Sequence, residues 1–224
     1  MADSATLLGT VLDRLNENNR SLVTLSRVCL VGKLSGTTPE AAFSAWCDNY
    51  FRPPADVTGL LLQLDSGFIV TMEGATNDLL PFLRALTDQL EPGGSCSSAK
   101  VVAQQEDVRG RYFPKWSTHK MSVVRSNYAE LELEGALANL CSETVIAMLK
   151  TGKVLSKNGA NVAALSKWDS DAELSDMVSN ERVAQLLEIE EIVPLGKFMA
   201  IFEAPVDIMM DTERAWPPPH PDAY

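Results

Sequence analysis

Up to about residue 125 the apolar positions of this chain fall in short runs. Beyond residue 129 they recur every three or four residues. Short apolar runs bounded by turn residues predict strands, and the wider spacing predicts helices. A first strand spans 24–34, centred on Val28-Cys29-Leu30-Val31. Thr37-Thr38-Pro39-Glu40 then opens a helix with a threonine cap and a proline in its first turn. Phe43, Trp46 and Cys47 form its apolar face, and Pro53-Pro54 ends the segment. Val57–Leu64 and Phe68–Met72 are two strands joined by a tight turn at Asp65-Ser66-Gly67. Asn77 is expected to cap a second helix striped by Leu79, Leu80, Leu83 and Leu86. A loop over Glu91–Ser95 leads to a strand at 99–104, and a short strand crosses 119–125.

The order strand, helix, strand, strand, helix, strand predicts a ferredoxin-like α+β sheet with two helices on one face. Its other face must be covered by a ligand, a partner or the rest of the chain. That rest reads as mainly helical. Leu133, Leu137, Leu140, Cys141 and Met148 mark a helix within 129–150, and Ser170 with Glu173 forms a capping box. Residues 180–191 give a further helix, and Lys197–Glu203 reads as one more strand. Upstream, Leu7, Leu8, Val11, Leu12 and Leu15 stripe a helix over 5–19, which either packs on the main domain or docks a partner. The predicted organisation is an N-terminal helix (1–21), a sheet domain (22–126), a helical extension (127–202) and a proline-rich tail (203–224).

Charge divides the chain near the same boundary. Residues 1–126 hold 12 basic and 13 acidic side chains, whereas 127–224 hold 7 and 17, giving the net charge of -11. Such an excess of acid argues against binding nucleic acid, which requires surplus Lys and Arg. No stretch of about 20 apolar residues predicts a membrane span. Cys29, Cys47, Cys96 and Cys141 are too dispersed for a zinc site. With no export signal at Met1-Ala2-Asp3-Ser4, reduced intracellular thiols are expected.

The hairpin reads Val57-Thr58-Gly59-Leu60-Leu61-Leu62, Gly67-Phe68 and Met72-Glu73-Gly74, followed later by Arg111-Tyr112-Phe113-Pro114-Lys115-Trp116. Over about residues 22–125 this resembles the BLUF domain, a flavin-binding blue-light sensor module. The resemblance implies a tyrosine on the first strand, where Leu30 stands. It implies a glutamine on the third strand, where Val70 stands, and a ring-holding asparagine, where Arg52 stands. Asn49 would need a three-residue shift of register to take that place. Trp116 matches the family's tryptophan, and Thr118 replaces its methionine. Leucine cannot donate an electron and valine has no amide to rearrange, so lost photochemistry and no bound flavin are expected.

The chain is also similar to the testis-expressed protein 47 family of motile cilia, in its hairpin, its missing photoactive residues and its helical extension. That similarity implies a non-enzymatic structural component of the axoneme, working with other proteins of a larger assembly such as microtubule-associated ones. The competing readings are a flavin sensor with altered photochemistry and a small-molecule regulatory module.

No nucleotide-binding, hydrolase or metalloprotease motif is present. His119 and His220 stand alone, Glu73 and Asp65 lack a second carboxylate, and the Glu130, Glu132, Glu134 and Glu188, Glu190, Glu191 runs read as solvated faces. Two features suggest partner contact. Arg109, Arg111 and Lys115, with Lys120 and Arg125, form a basic cluster that either balances the acidic half or meets an acidic protein surface, tubulin tails included. Trp216 with Pro217, Pro218 and Pro219 suits docking of a stiff polyproline segment. Trp116 reads as an anchor against the sheet.

Overall fold

The computed structural model describes residues 24–35, 40–52, 56–65, 67–121, 136–163, 165 and 178–204. The predicted order holds: β1 (Leu25–Leu34), α1 (Glu40–Tyr50), β2 (Thr58–Leu64), β3 (Gly67–Ala75), α2 (Thr76–Asp88) and β4 (Cys96–Val108). A fifth strand, β5 (Trp116–Lys120), is followed by α3 (Ala136–Lys157), α4 (Asn180–Glu188) and α5 (Leu195–Phe202). The sheet order is β4-β1-β3-β2-β5. All pairings are antiparallel except β2 with β5, which places Gly59 opposite Trp116.

Both faces of this sheet are buried. β2 and β3 are buried at almost every position, and β1 buries seven consecutive residues. Such continuous burial is the mark of strands covered on two sides. One face carries Val28, Leu30, Leu61, Phe68, Val70 and Met72 against Phe43 and Cys47 of α1 and Leu79, Phe82, Leu83 and Leu86 of α2. Leu195 and Met199 of α5 join this layer. The opposite face carries Cys29, Val31, Leu60, Leu62 and Ile69. There Leu140, Met148, Val154 and Leu155 of α3 and Val183 and Leu186 of α4 close over it. The cover is therefore the rest of the chain, and the helical extension is a lid sharing one core with the sheet.

Close approaches hold the layers in register. A Cβ on Gly59 would lie 2.2 Å from the Thr71 carbonyl oxygen, so only glycine lets β2 meet β3 there. A Cβ on Gly152 would lie 2.9 Å from the Phe113 ring, which lets α3 settle on that aromatic.

Several expectations are corrected. The cap of α2 is Ala75, with no side-chain capping bond, and Asn77 is already inside the helix. Residues 195–202 form helix α5 instead of a strand: Leu195 and Met199 point into the core and Phe198 stacks on Phe202 at 5.4 Å. A short apolar run carries no decisive period, so the reading there rested on composition. The last strand lies at 116–120, β4 runs 13 residues, and α4 stops at Glu188. The stripe over 5–19, the threonine cap at 37–38, the Ser170–Glu173 box, the boundary at 126–127 and most of the 203–224 tail lie outside the described residues.

Met148 is fully buried between α3 and the sheet. Met148→Ala should lower unfolding free energy by about 2–4 kcal/mol. Urea unfolding followed by tryptophan fluorescence and circular dichroism should remain one coincident transition. Two separated transitions would mean that the extension folds independently of the sheet.

Candidate functional site

The motif residues converge on Glu73, which is completely buried on β3. Arg27, buried on β1 and directly paired with it, brings both Nε and Nη2 to 2.7 Å from Glu73 Oε1. The second carboxylate oxygen, Oε2, accepts the backbone N–H groups of Tyr112 at 2.8 Å and Phe113 at 3.1 Å. It also accepts Thr58 Oγ1 at 3.5 Å. Arg27 further donates to Gln105 Oε1 and the Gly110 carbonyl, and its guanidinium lies 4.8 Å from the Tyr112 ring centroid. A buried charge survives only when paired and hydrogen-bonded, and both partners here are. The arrangement clamps the β4–β5 connection to the middle of the sheet.

Arg111 belongs to the same clamp. It donates to Thr58 Oγ1 at 3.2 Å and to the Glu73 carbonyl at 3.0 Å, and it pairs with Asp56 at 2.9 Å. Within the expected basic cluster, Arg111 therefore spends its hydrogen bonds on the start of β2 and the end of β3, with 22% of its side chain exposed. Arg109 and Lys115 are exposed, while Lys120 is paired with Glu40. Arg125 and Trp216, Pro217, Pro218 and Pro219 lie outside the described residues. Sequence reading left Arg27 and Glu73 unassigned. The available signal was an arginine within an otherwise apolar strand and a glutamate ending its neighbour.

The positions at which the BLUF resemblance implies flavin chemistry occupy the α1–α2 face. Leu30 and Val70 are direct cross-strand partners, 0% and 1% exposed. Above them lies an aromatic layer. Phe43 packs on Phe68 at 4.8 Å, Trp46 on Phe82 at 5.3 Å and Phe51 on Phe82 at 4.6 Å. Side chains of the protein fill this space, and no phenol or amide faces it from positions 30 and 70. The residues do not fit a flavin. Gln63, on β2, instead donates to the Glu40 carbonyl at 2.8 Å and holds the first turn of α1.

Trp116 is half-buried on the α1 side of β5. Its ring packs on Phe51 at 4.2 Å, as an anchor should, and its indole N–H donates to Asp48 Oδ1 at 2.9 Å. Thr118 donates to the same oxygen at 2.6 Å. Beside them an open groove of about 570 Å³ runs between the end of α1, the start of β2 and the start of β5. It is lined by Asp48, Phe51, Arg52, Val57, Lys115 and Trp116, among others. His119 is half-buried on the opposite face, and burial lowers its pKa. Burial raises the thiol pKa of Cys29 and Cys96 to about 12, and that of Cys47 still further. Among the described residues no His, Cys, Asp or Glu cluster could hold a metal, and no helix is long and apolar enough to cross a membrane.

These features define a closed α+β protein with a BLUF-like sheet, a charged clamp where its motifs meet and a second helical layer as lid. The family model described as testis-expressed protein 47 matches residues 24–204, most of the chain, and the chain belongs to that family. Among solved structures it is similar to a bacterial light-regulated adenylyl cyclase, at 17% identity and a TM-score of 0.37. That match covers 59% of this chain and 36% of the cyclase, so the chain spans about a third of the cyclase's length. It is also similar to the dark state of the BLUF protein BlrB, at 19% identity, TM-score 0.36, covering 45% and 74% of the two chains. A third likeness is the BlrP1 BLUF domain, at 14% identity, TM-score 0.37, covering 67% and 93%.

Two measurements check the site. Glu73→Ala strands the Arg27 charge and two backbone N–H groups, and should cost about 3–5 kcal/mol in urea unfolding. A loss below about 1 kcal/mol would show that the clamp is solvated. Iodoacetamide at pH 8, followed by peptide mass spectrometry, should modify the partly exposed Cys141 while sparing Cys29, Cys47 and Cys96, since the thiolate is the reactive form. Equal labelling of all four in the folded protein would contradict the packed layers.

Proposed function

We propose that this protein is a non-enzymatic structural and interaction component of the ciliary or flagellar axoneme, built on a flavin-less BLUF-like scaffold. The observation that carries the reading is the packing at Leu30 and Val70. The positions that a light sensor devotes to chemistry are here ordinary core partners beneath an aromatic layer. The BLUF-like motif residues that remain, Thr58, Glu73 and Arg111, are engaged in holding the sheet to its loop. Membership in a family described as testis-expressed supports a place in a cell type that builds flagella. A rigid body closed on both sheet faces offers its surfaces, and the work it does is to hold other proteins of the assembly.

Two experiments test this. The purified full chain, incubated with excess FAD and desalted, should show no absorbance between 400 and 500 nm. A retained flavin band would overturn the scaffold reading. In ciliated cells the tagged protein should stay with axonemes after detergent extraction; complete release with the soluble fraction would overturn the axonemal address.

A further inference from the structure

Two aromatic side chains of α1 are left partly in solvent. Tyr50 is 36% exposed and Trp46 is half-buried. Both sit over Phe82 of α2, each with its ring centroid 5.3 Å from the phenylalanine ring. They lie 5.9 Å from one another with their planes 53° apart, forming an aromatic strip along the junction of α1 and α2. Neither the Trp46 indole N–H nor the Tyr50 hydroxyl has a hydrogen-bond partner among the described residues. Trp116 differs, since its indole N–H already donates to Asp48. Exposed rings that carry free donors are the chemistry that receives a polyproline helix. Proline rings pack on the aromatic faces, and the carbonyls of that helix, which bond to nothing within it, accept the donors.

The chain carries such a segment, Trp216-Pro217-Pro218-Pro219-His220-Pro221, and carries it close by. Ala204, the last described residue, follows Glu203, whose carboxylate pairs with Arg84 of α2. Phe82, on which Trp46 and Tyr50 rest, is two residues from Arg84 on the same helix. The tail therefore starts at one side of α2, and the strip lies at its other side, about 10–12 Å away across the helix. Between them the exposed side of α2 presents Pro81 and Asp88. Residues 205–215 lead from Ala204 to Trp216, and each extends the chain by at most about 3.3–3.6 Å. That reach is about three times the distance to be crossed.

We propose that Trp216–Pro221 docks on the Trp46–Tyr50 strip of its own chain. The proline rings lie on the two aromatic faces, and Trp46 Nε1 and Tyr50 Oη donate to carbonyls of the segment. Each proline holds its φ near about −65° before it docks, so little freedom is lost on binding. Tethering keeps the segment at an effective concentration of about a millimolar, which favours it over the same segment of a second copy or of a partner. The contact involves one chain alone and stands whether or not the protein is axonemal.

The test uses the full chain with the photo-crosslinker benzoylphenylalanine in place of Asp222, just past the segment. Irradiation of a dilute solution, followed by digestion and mass spectrometry, should join the tail to peptides holding Trp46, Tyr50 or Pro81, within the monomer. Tyr50→Ala should lower that yield at least about threefold. So should Pro217→Gly, Pro218→Gly and Pro219→Gly together, which leave every described residue in place. Ile146→Ala, at an exposed position on α3, should leave the yield unchanged. Circular dichroism establishes that the variants are folded. In a second measurement, a fluorescein-labelled peptide of residues 214–222 is titrated by anisotropy. The triple-glycine variant should bind it at least about tenfold more tightly than the wild type, whose strip is filled by its own tail. Crosslinks to residues 5–19 or scattered over the surface overturn the proposal. Crosslinks confined to a dimer make a second copy the occupant and overturn it as well. Peptide binding that is equal in the two proteins, or absent from both, does the same.

Discussion

A sheet that buries consecutive residues has two faces to cover, and everything else in this molecule follows from that requirement. Leu30 and Val31 are neighbours on β1, and both are fully buried, one beneath α1 and α2 and the other beneath α3 and α4. Removing either helical layer would expose a row of leucine, isoleucine and valine side chains, each worth roughly 1.5–3 kcal/mol of burial. The extension is consequently part of the core. The helical extension supplies the lid, with the apolar stripes of α3 and α4 turned in.

The middle of that sheet holds one charged contact instead of an apolar one. Glu73 could be replaced in principle by a packed leucine, which would often be as stable as a buried pair. A leucine, however, could not accept the Tyr112 and Phe113 N–H groups or engage Arg27. The carboxylate fixes where the β4–β5 connection sits and so sets the start of β5. The placement of Trp116 over Phe51, and of Lys115 at the groove, depends on that same anchor. An interior clamp therefore determines the geometry of an exterior surface.

The motif that resembles a light sensor is consistent with this division. Thr58, Gly59, Glu73 and Arg111 serve the architecture: glycine where strands meet closely, and polar groups where a loop is tied down. The positions assigned to photochemistry carry no architectural duty beyond filling space, which leucine and valine do well. A scaffold can keep the first set while the second becomes aliphatic, and the aromatic side chains between α1 and α2 then complete the packing.

The sequence by itself determined the alternation of strands and helices through β4, because runs such as Val28–Val31 and Leu60–Leu62 and the turn at 65–67 are local signals. It also located Leu30 and Val70 at the implied photoactive positions, since motif spacing along a hairpin is one-dimensional. It was ambiguous at 195–202, where eight mostly apolar residues have no decisive period until Leu195 and Met199 find a core. It grouped Arg111 with a basic cluster, because composition carries no information about which partners a guanidinium finds. Only the tertiary structure decided that Arg27, 46 residues from Glu73, directs two of its nitrogens at one carboxylate oxygen of that residue, and that the extension closes the sheet. The groove at Trp116 likewise exists only once α1, β2 and β5 are assembled. Periodicity reports which face of an element is apolar, and only packing reports what that face meets.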